Sequence, residues 1–332
     1  MPIRRVLITG ASGFVGSHVA DVLKSRGIAV RCLVRKTSRL DFMGPNFPEI
    51  AYGDVTLPET LQLALKDVDG IVHCAGLTKA HGAEDYFRVN QEGSRNLYLA
   101  SQSFRGRLLK IVHISSLAAM GPSLHGQPVI EENVPHPISD YGRSKLAGQR
   151  MAESFMRDLP ISILIPPAVY GPRDADFRIY FRLAARGIVP LPGRTPRYLS
   201  LIYVKDLAEA VVLALTLDKS AGKTYLVEDG CVQTWSSVAD AIDHALGRTS
   251  RRIHLPLLAA RSAGVLGDLF SRVSGKAVLL SSQKVGEFLQ AAWICSAQRI
   301  RDELGFRPSY SLDRGFSETL AWYKQQTPRA FP

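Results

Sequence analysis

Tyr141 and Lys145 stand four positions apart in a segment that begins at Ser139 and whose pattern predicts a helix. Residues four apart lie on one face of a helix, so the phenol and the ammonium group are expected to project from the same side. A cation beside a phenol stabilises the phenolate and lowers the pKa of the tyrosine below its ordinary value of about 10. This pair is the acid/base apparatus that a hydride-transfer enzyme needs, provided that the chain also binds a nicotinamide cofactor.

A glycine-rich turn near the start of the chain predicts that cofactor. Val6–Thr9 is a β-branched run typical of a buried strand, and a helix is expected from about residue 14 to residue 26. Between them, Gly10, Gly13 and Gly16 have the spacing GxxGxxG rather than the more usual GxGxxG. Glycines in such a turn let backbone N–H groups approach a pyrophosphate, and the positive end of the helix dipole favours the anion. The strand before and the helix after favour a cofactor site over a plain structural turn.

At these two motifs the chain resembles the extended short-chain dehydrogenase/reductase superfamily, which contains nucleotide-sugar epimerases and dehydratases, 3β-hydroxysteroid dehydrogenases and dihydroflavonol-type reductases. The likeness covers nearly the whole chain. Tyr141 and Lys145 match its YxxxK pair, and Ser116, 25 residues before Tyr141, matches its catalytic serine. The resemblance implies a cofactor site made by Gly10, Ser12, Gly13, Phe14, Val15, Gly16, Arg35, Asp54, Val55, Ala75, Gly76, Asn90, Lys145, Pro166, Ala168 and Val169.

The resemblance also implies a role for each catalytic residue. In oxidation the Tyr141 phenolate accepts the hydroxyl proton while hydride leaves the substrate carbon for the nicotinamide, and in reduction the phenol donates its proton. Lys145 lowers the pKa of the tyrosine and bonds the nicotinamide ribose, while Ser116 hydrogen-bonds the substrate oxygen. Ser115 is the rival to Ser116 for this role. Asn90 either supports a water or the helix behind the lysine, or is a structural amide.

The choice of cofactor is predicted at the end of the second strand. NAD enzymes usually place an acidic residue there, on the ribose hydroxyls. Here the strand ends in Arg35 and Lys36, and no carboxylate follows until Asp41. An arginine can stack on adenine and pair with a 2′-phosphate, which favours NADP; the alternative is a surface arginine beside NAD. Asp54 resembles an adenine-contacting residue of the superfamily, or is a solvated loop acid.

The substrate is expected to be a fairly apolar small molecule. Nucleotide-sugar enzymes of the superfamily carry arginines for the diphosphate, but Leu199 occupies one such place and Arg197 lies two positions earlier. The segment 290–296 has no arginine, and the next one is Arg299. The alternative is that Arg173, Arg194 or Arg197 compensates through a different loop path. The apolar segment 255–270 makes the chain look more like the hydroxysteroid-dehydrogenase and dihydroflavonol-reductase branches. A packing helix is the default interpretation of that segment; contact with a membrane surface or another subunit is the alternative.

Three functions are therefore considered. The first is an NAD(P)-dependent dehydrogenase or ketone reductase, and the second a nucleotide-sugar epimerase or dehydratase that reduces its cofactor transiently. A dehydratase normally needs a further acid/base pair near the serine, and Leu117–Met120 offers none. The third is a non-catalytic sensor of cofactor state, which would not need Ser116, Tyr141 and Lys145.

The order of segments predicts an α/β fold with a doubly wound parallel sheet. Strands are expected at 4–9, 29–34, 49–53, 70–74, 110–115 and 161–165, and helices at 14–26, 58–66, 83–104 and 138–158. The resulting Rossmann domain covers 1–171, with 201–229 returning to it. A smaller, mostly helical and discontinuous substrate domain is expected within 172–332, and the segment Gly187–Gly193 is predicted to be a loop.

Composition excludes several other classes of protein. With 332 residues, 46% of them hydrophobic, the chain has ample core for one large or two unequal domains. The net charge of +11 is scattered, so nucleic-acid binding is not expected. Neither a signal peptide nor a membrane span is predicted. The four cysteines form no CxxC pair and the histidines show no ligand spacing, which predicts reduced thiols in the cytoplasm, structural roles for His73 and His113, and no metal. A homodimer is possible.

Overall fold

Short aliphatic and β-branched runs form the strands of the molecule, because such side chains pack well on a buried pleated surface. The computed structural model describes residues 2–43, 49–274, 281–327 and 331. Within these ranges the strands are β1 Arg5–Thr9, β2 Ala29–Val34, β3 Glu49–Tyr52, β4 Gly70–His73, β5 Lys110–Ile114, β6 Ile161–Ile165, β7 Ala168–Tyr170, β8 Ile188–Pro192, β9 Tyr198–Tyr203, β10 Thr224–Leu226, β11 Val232–Thr234, β12 Arg251–Leu255 and β13 Ala292–Trp293.

Helices alternate with these strands along most of the chain. They are α1 Phe14–Ser25, α2 Leu61–Leu65, α3 Ala83–Phe87, α4 Gly93–Gln102, α5 Leu117–Met120, α6 Asp140–Phe155, α7 Phe177–Ala185, α8 Val204–Thr216, α9 Trp235–Leu246, α10 Leu257–Ser274, α11 Ser282–Phe288, α12 Gln298–Leu304 and α13 Leu312–Gln326. A π-helical turn, Arg88–Glu92, joins α3 to α4. None of the described helices is long and apolar enough to cross a bilayer.

The main sheet has seven strands in the order β10-β6-β5-β4-β1-β2-β3. Every neighbouring pair in it is parallel. The strand order reverses at β1, since β2 and β3 lie to one side of it and β4 to the other. In open α/β sheets such a switch point leaves a crevice outside the carboxyl ends of the strands, where ligands bind. The predicted doubly wound parallel sheet is confirmed.

Both faces of the sheet are covered by helices. Val6 and Ile8 of β1 pack with α1 and α8 in one core, while Leu7 packs on the opposite face with α2, α4 and α6 in a second. This division follows from the alternation of side chains along a strand. Because both faces are buried, β1 is continuously apolar rather than alternating, as the sequence pattern predicted.

A third core collects aromatic side chains from residue 170 onwards, among them Tyr170, Phe181, Phe316 and Tyr323. A small sheet joins β11, β9 and β13, with β7 paired to β9. By contrast, α12 packs on the first core, and β10 is an edge strand of the main sheet. The division into a domain over 1–171 with 201–229 and a discontinuous domain within 172–332 stays a prediction.

Two sequence predictions about this half of the chain are wrong. The segment Gly187–Gly193 is not a loop, because residues 188–192 form β8, which pairs in parallel with β12. Its prolines are tolerated since a two-stranded sheet leaves each strand with an unpaired edge. In the apolar segment 255–270 a helix forms, but Leu258 and Leu266 are 77% and 65% exposed, so they do not pack internally.

Candidate active site

The predicted catalytic residues come together beyond the carboxyl end of β5. Ser139 caps α6 by accepting a hydrogen bond from the Gly142 N–H group at 3.0 Å, which places Tyr141 in the first turn of the helix. Tyr141 lies close enough to Ser116 for the serine hydroxyl to lower the pKa of the phenol. Ser116 itself caps α5, where its Oγ accepts from the Ala118 N–H group at 3.2 Å. Two helix caps therefore fix the serine and the tyrosine relative to each other.

Lys145 lies one turn further along α6, on the same face as Tyr141. It is buried, and its Nζ donates to the Ile114 carbonyl oxygen, at the end of β5, at 2.7 Å. Burial lowers the pKa of Lys145 to about 8. A Cβ on Gly76 would lie 3.7 Å from this Nζ, so the glycine leaves room beside the ammonium group.

The acid/base behaviour of Tyr141 differs from the prediction. Burial raises the pKa of Tyr141 above its ordinary value, and the hydrogen bond from Ser116 and the charge of Lys284 only partly oppose it. The prediction that Lys145 brings this pKa below the ordinary value is wrong for this structure. The phenol is therefore protonated at neutral pH, which is the form that donates a proton.

Ser115, the rival to Ser116, has its hydroxyl committed elsewhere. It is buried, and its Oγ donates to Gln149 Oε1 at 2.8 Å. Ser116 is partly exposed on the side of Tyr141. The two adjacent serines thus face in opposite directions, as successive residues at the end of a strand do.

Helix α11 supplies groups that sequence reasoning missed. Glu287 accepts a hydrogen bond from Ser139 Oγ, and the Asp140 N–H group donates to Gln283 Oε1 at 2.6 Å. The Lys284 Nζ lies 3.2 Å from Glu287 Oε2, and the lysine side chain is 58% exposed. Its positive charge lowers the pKa of Tyr141. No motif marks these residues, because the contacts join positions more than 140 apart in the chain.

The turn after β1 has the geometry of a dinucleotide cradle. Gly10 adopts a φ of +69°, and the Gly13 N–H group donates to its carbonyl oxygen at 3.0 Å. A Cβ on Gly16 would lie 2.3 Å from the Gly10 carbonyl oxygen, so a side chain there would displace backbone. Ser12, Phe14 and Val15 are partly exposed beside the turn. The first N–H groups of a helix have no partner within the helix, so those of α1 can bind a pyrophosphate. The glycines leave room for the pyrophosphate to approach the backbone closely.

Residues predicted to contact the adenosine end of the cofactor follow β2 and β3. The Arg35 side chain is exposed, and the backbone N–H group of Arg35 donates to Ser38 Oγ at 3.1 Å. Asp54 accepts from the N–H group and from the hydroxyl of Thr56, both at 2.8 Å, so its carboxylate closes a local turn. Val55 is buried against Gly93. Arg35 is thus free to meet a ligand, whereas one Asp54 oxygen is already occupied.

The remaining predicted cofactor residues line the edge between β4 and β6. The Ala75 N–H group donates to Thr9 Oγ1 at 3.2 Å. Asn90 is buried, accepts from the Leu77 N–H group at 2.8 Å and donates to Ser144 Oγ at 2.8 Å. Its amide therefore holds the strand-end loop against α6. That arrangement matches the structural-amide alternative.

Past β6, Pro166 is buried, and its carbonyl oxygen accepts from the Leu117 N–H group at 2.8 Å. Ala168 is exposed and Val169 partly exposed. These three residues place the start of β7 next to the helix that Ser116 caps.

His73 and His113 have structural surroundings. His73 is buried, and its ring nitrogens contact Thr9 Oγ1 at 2.7 Å and Ser94 Oγ at 2.9 Å. Burial lowers the pKa of His73 to about 3, so the ring is neutral. His113 contacts the Tyr98 hydroxyl at 2.7 Å. Over the part of the chain that the structure describes, no group of histidine, cysteine, aspartate or glutamate could hold a metal ion.

The expected diphosphate clamps are occupied or absent. Leu199 is buried in the third core. Arg197 donates to the Pro192 carbonyl oxygen at 3.1 Å and to that of Leu289. Arg299 is paired with Glu132. Neither arginine is free to bind a second anion without losing a partner.

Comparisons with known proteins agree with this geometry. The model of the NAD dependent epimerase/dehydratase family matches residues 6–227. The chain is 32% identical over 323 residues to a ceramide reductase of Caulobacter vibrioides, covering 96% of this chain and 94% of the relative. It is 27% identical to a UDP-glucose 4-epimerase of Vibrio cholerae, covering 98% and 97%. The crystal structure of gox2253 superposes with a TM-score of 0.80 at 27% identity, covering 97% and 98%.

Proposed function

Because the chain belongs to the NAD dependent epimerase/dehydratase family, we propose that it is an NAD(P)-dependent oxidoreductase that transfers hydride between nicotinamide and a secondary alcohol or ketone of a fairly apolar small molecule. The observation that carries the proposal is the placement of Ser116 and Tyr141 by two helix caps beside the buried Lys145. The chain is an enzyme of the extended short-chain dehydrogenase type, since relatives that span almost its whole length include reductases and epimerases.

Each of the three side chains has a distinct task in this proposal. The bound nicotinamide supplies hydride exchange at its C4 position. In reduction Tyr141 donates its hydroxyl proton to the substrate oxygen as negative charge develops there. Ser116 donates a hydrogen bond to the same oxygen and stabilises that charge. Lys145 holds a positive charge behind the phenol and is placed to bond the cofactor ribose. Because its pKa is raised, Tyr141 is protonated at neutral pH, which is the form that reduction requires.

An apolar substrate is supported by the state of the arginines. Charge-assisted hydrogen bonds contribute about 1.5–3 kcal/mol each, so two missing clamps would weaken the binding of a nucleotide sugar by roughly a hundredfold or more. Leu199 stands where one clamp is expected, and the guanidinium of Arg197 is already bonded to backbone carbonyls. The relative named a ceramide reductase also supports a reductase that acts on a lipid-like molecule.

The second candidate is a nucleotide-sugar 4-epimerase with transient reduction of its cofactor. The relative named UDP-glucose 4-epimerase, 27% identical over nearly the whole chain, favours it. The same Ser116, Tyr141 and Lys145 would serve, because an epimerase carries out both directions of the same reaction in turn: it removes a proton and a hydride from an alcohol and then returns them to the ketone.

The finer features of the enzyme are also proposals. We infer that NADP is preferred to NAD, because Arg35 is exposed where an acidic residue would mark an NAD enzyme. A cytoplasmic location and a homodimer are proposed on the sequence alone.

Two measurements on the purified enzyme test the proposed function. NADPH oxidation is followed with a panel of steroid and long-chain alkyl ketones, and calorimetric titration is carried out with UDP-, GDP- and TDP-sugars. Stoichiometric NADPH consumption with a ketone and no sugar binding are expected. Micromolar binding of any nucleotide sugar, with no net NADPH consumption, would reject the reductase and favour the epimerase.

A further inference from the structure

Helix α10 presents a broad apolar surface to the outside of the molecule. We call this surface, formed by Leu258, Val265, Leu266, Leu269 and Phe270, the outward face of α10. These side chains are 77%, 61%, 65%, 57% and 61% exposed. At 3.6 residues per turn they cover a sector of about 140°. Between residues 257 and 270 the other positions within that sector are Ala259 and Ser262, so this part of it contains no charge.

The inward side of α10 is small or polar instead. A Cβ on Gly264 would lie 2.9 Å from Ser282 Cα, so the backbones of α10 and α11 are in close contact there. Asp268 accepts a hydrogen bond from the Ser282 N–H group at 3.2 Å. A helix of a globular protein usually buries its apolar face and exposes its charges. Here the arrangement is reversed, which points to an external apolar partner.

Positive charge lies beside this surface. Residues 248–276 contain six arginines and lysines and one acidic residue, Asp268, and of these cations Arg252 is paired with Asp240 and Asp243. Arg261 is exposed on α10 itself. Arg194 is also exposed and follows Gly193, which lies against Leu257 at the start of the helix. Across the described ranges neither of these two arginines has an acidic partner. The charge around the outward face is thus complementary to an anionic surface.

We propose that the outward face of α10 docks on an anionic phospholipid bilayer, with the helix lying in the plane of the interface. An uncharged apolar sector flanked by arginines is the pattern of a helix that lies at the boundary between headgroups and acyl chains. Anionic lipids attract the flanking cations at the same time. A second copy of the chain is a poorer occupant, because a two-fold contact would bring the same cationic rim close to itself. The inference goes beyond the proposed function and does not depend on it.

Flotation of the full chain with lipid vesicles tests this docking. The vesicles are phosphatidylcholine alone or phosphatidylcholine with phosphatidylglycerol. The wild type should float with the anionic vesicles and should be released by salt. The double variant Leu266→Glu/Leu269→Glu should lose roughly tenfold or more in partitioning, since two charges would enter the apolar boundary. Both side chains are exposed, so the fold should persist, as circular dichroism can verify.

Leu63→Glu is the matched control, because Leu63 is 78% exposed on α2, away from α10. Its partitioning should equal that of the wild type. Absence of wild-type flotation, or equal flotation of the double variant, would overturn the proposal. So would a dimer in sedimentation velocity that the double variant abolishes while no vesicle binding is seen, because the occupant would then be a second copy. NADPH turnover is measured separately, so failure of docking would leave the proposed function standing.

Discussion

At the scale of single residues, the environment of Tyr141 determines the protonation state of this candidate acid/base group. Burial is the largest influence and raises its pKa, while Ser116 and Lys284 lower it. The Lys145 Nζ donates to the Ile114 carbonyl oxygen. The phenol is therefore protonated at neutral pH and can donate a proton. Three predictions about individual side chains follow from this environment and from the exposed Arg35.

Replacing Tyr141 by Phe should abolish turnover and leave cofactor affinity nearly unchanged. The change deletes only the oxygen that transfers the proton, and a positioned acid/base group contributes about 10²–10⁴-fold to the rate. Steady-state kinetics and NADPH titration measure the two effects. Tyr52→Phe, at an exposed tyrosine on β3, makes the same chemical change away from the site and should be silent. Retention of more than half the wild-type rate in Tyr141→Phe would exclude Tyr141 as the acid/base group.

Replacing Lys284 by Met should move the pH profile of alcohol oxidation upwards. Oxidation needs the phenolate, and the Lys284 charge is one of the influences that lower the pKa of Tyr141. Without that charge, and with Glu287 deprived of its ion pair with Lys284, the pKa of Tyr141 rises further and the rate of oxidation increases only at higher pH. Lys284→Arg keeps the charge and should keep the profile of kcat/KM. Identical profiles for the Met and Arg variants would mean that Lys284 does not act on the phenol.

Replacing Arg35 by Asp should weaken NADPH binding by about tenfold or more and improve NADH binding, because a carboxylate repels the 2′-phosphate and accepts ribose hydroxyls. Fluorescence titration of both cofactors gives the two dissociation constants. Arg39→Asp reverses the charge of another arginine in the same loop and should change them little, since Arg39 is paired with Asp41. Equal losses for both cofactors would assign Arg35 a packing role and return the preference to NAD.

At the scale of elements, the β1–α1 turn and the junction of α6 with α11 position the chemistry. The turn depends on the close contact between Gly10 and Gly16, which brings the start of α1 against the end of β1. The junction depends on Ser139, whose hydroxyl both caps α6 and donates to Glu287. In each case a local backbone requirement is combined with a contact between two elements.

Replacing Gly16 by Ala should weaken cofactor binding by about tenfold or more. A methyl group there would lie 2.3 Å from the Gly10 carbonyl oxygen, so the turn must shift. Its backbone N–H groups would then no longer point at the pyrophosphate. Gly106→Ala is the matched control, because a Cβ at Gly106 meets nothing within 4 Å. Cofactor titration and thermal unfolding are measured for both variants. Unchanged affinity in Gly16→Ala would show that the turn does not hold the pyrophosphate.

At the scale of the whole molecule, the hydrophobic packing is divided among three cores. Two cores enclose the main sheet, and a third gathers the aromatic side chains from residue 170 onwards. The candidate site lies where α11, from the second half of the chain, meets α6, from the first. Substrate and cofactor would then be held by different units.

Saturating NADPH should slow amide hydrogen exchange more in the main sheet than in the third core. A ligand that binds only the folded state stabilises by about 2.7 kcal/mol at a hundred times its Kd, and this protection reaches the segments that unfold together with the site. Exchange mass spectrometry compares β1 to β6 with α9 and α13. Equal protection throughout would contradict the two-domain division and indicate one cooperative unit.

The sequence by itself determined the parallel sheet, because hydrophobic runs and glycine turns act over a few neighbouring residues. All six predicted strands formed, with ends within one residue of those expected. Ser116, Tyr141 and Lys145 were likewise found through motifs and then placed together by adjacent strand and helix ends. Their roles stay predictions, but their proximity is a property of the fold.

Only the tertiary structure decided the electrostatics and the surfaces. The contact of Gln283 and Glu287 with the start of α6 joins residues more than 140 positions apart, and no local pattern records such a pairing. The pKa of Tyr141 depends on burial, which is a sum over all neighbours. The apolar pattern of α10 predicted a helix but not which of its sides packs on the rest of the molecule. Gly264 lies against the backbone of Ser282 at the start of α11, and the large side chains of α10 therefore point outwards.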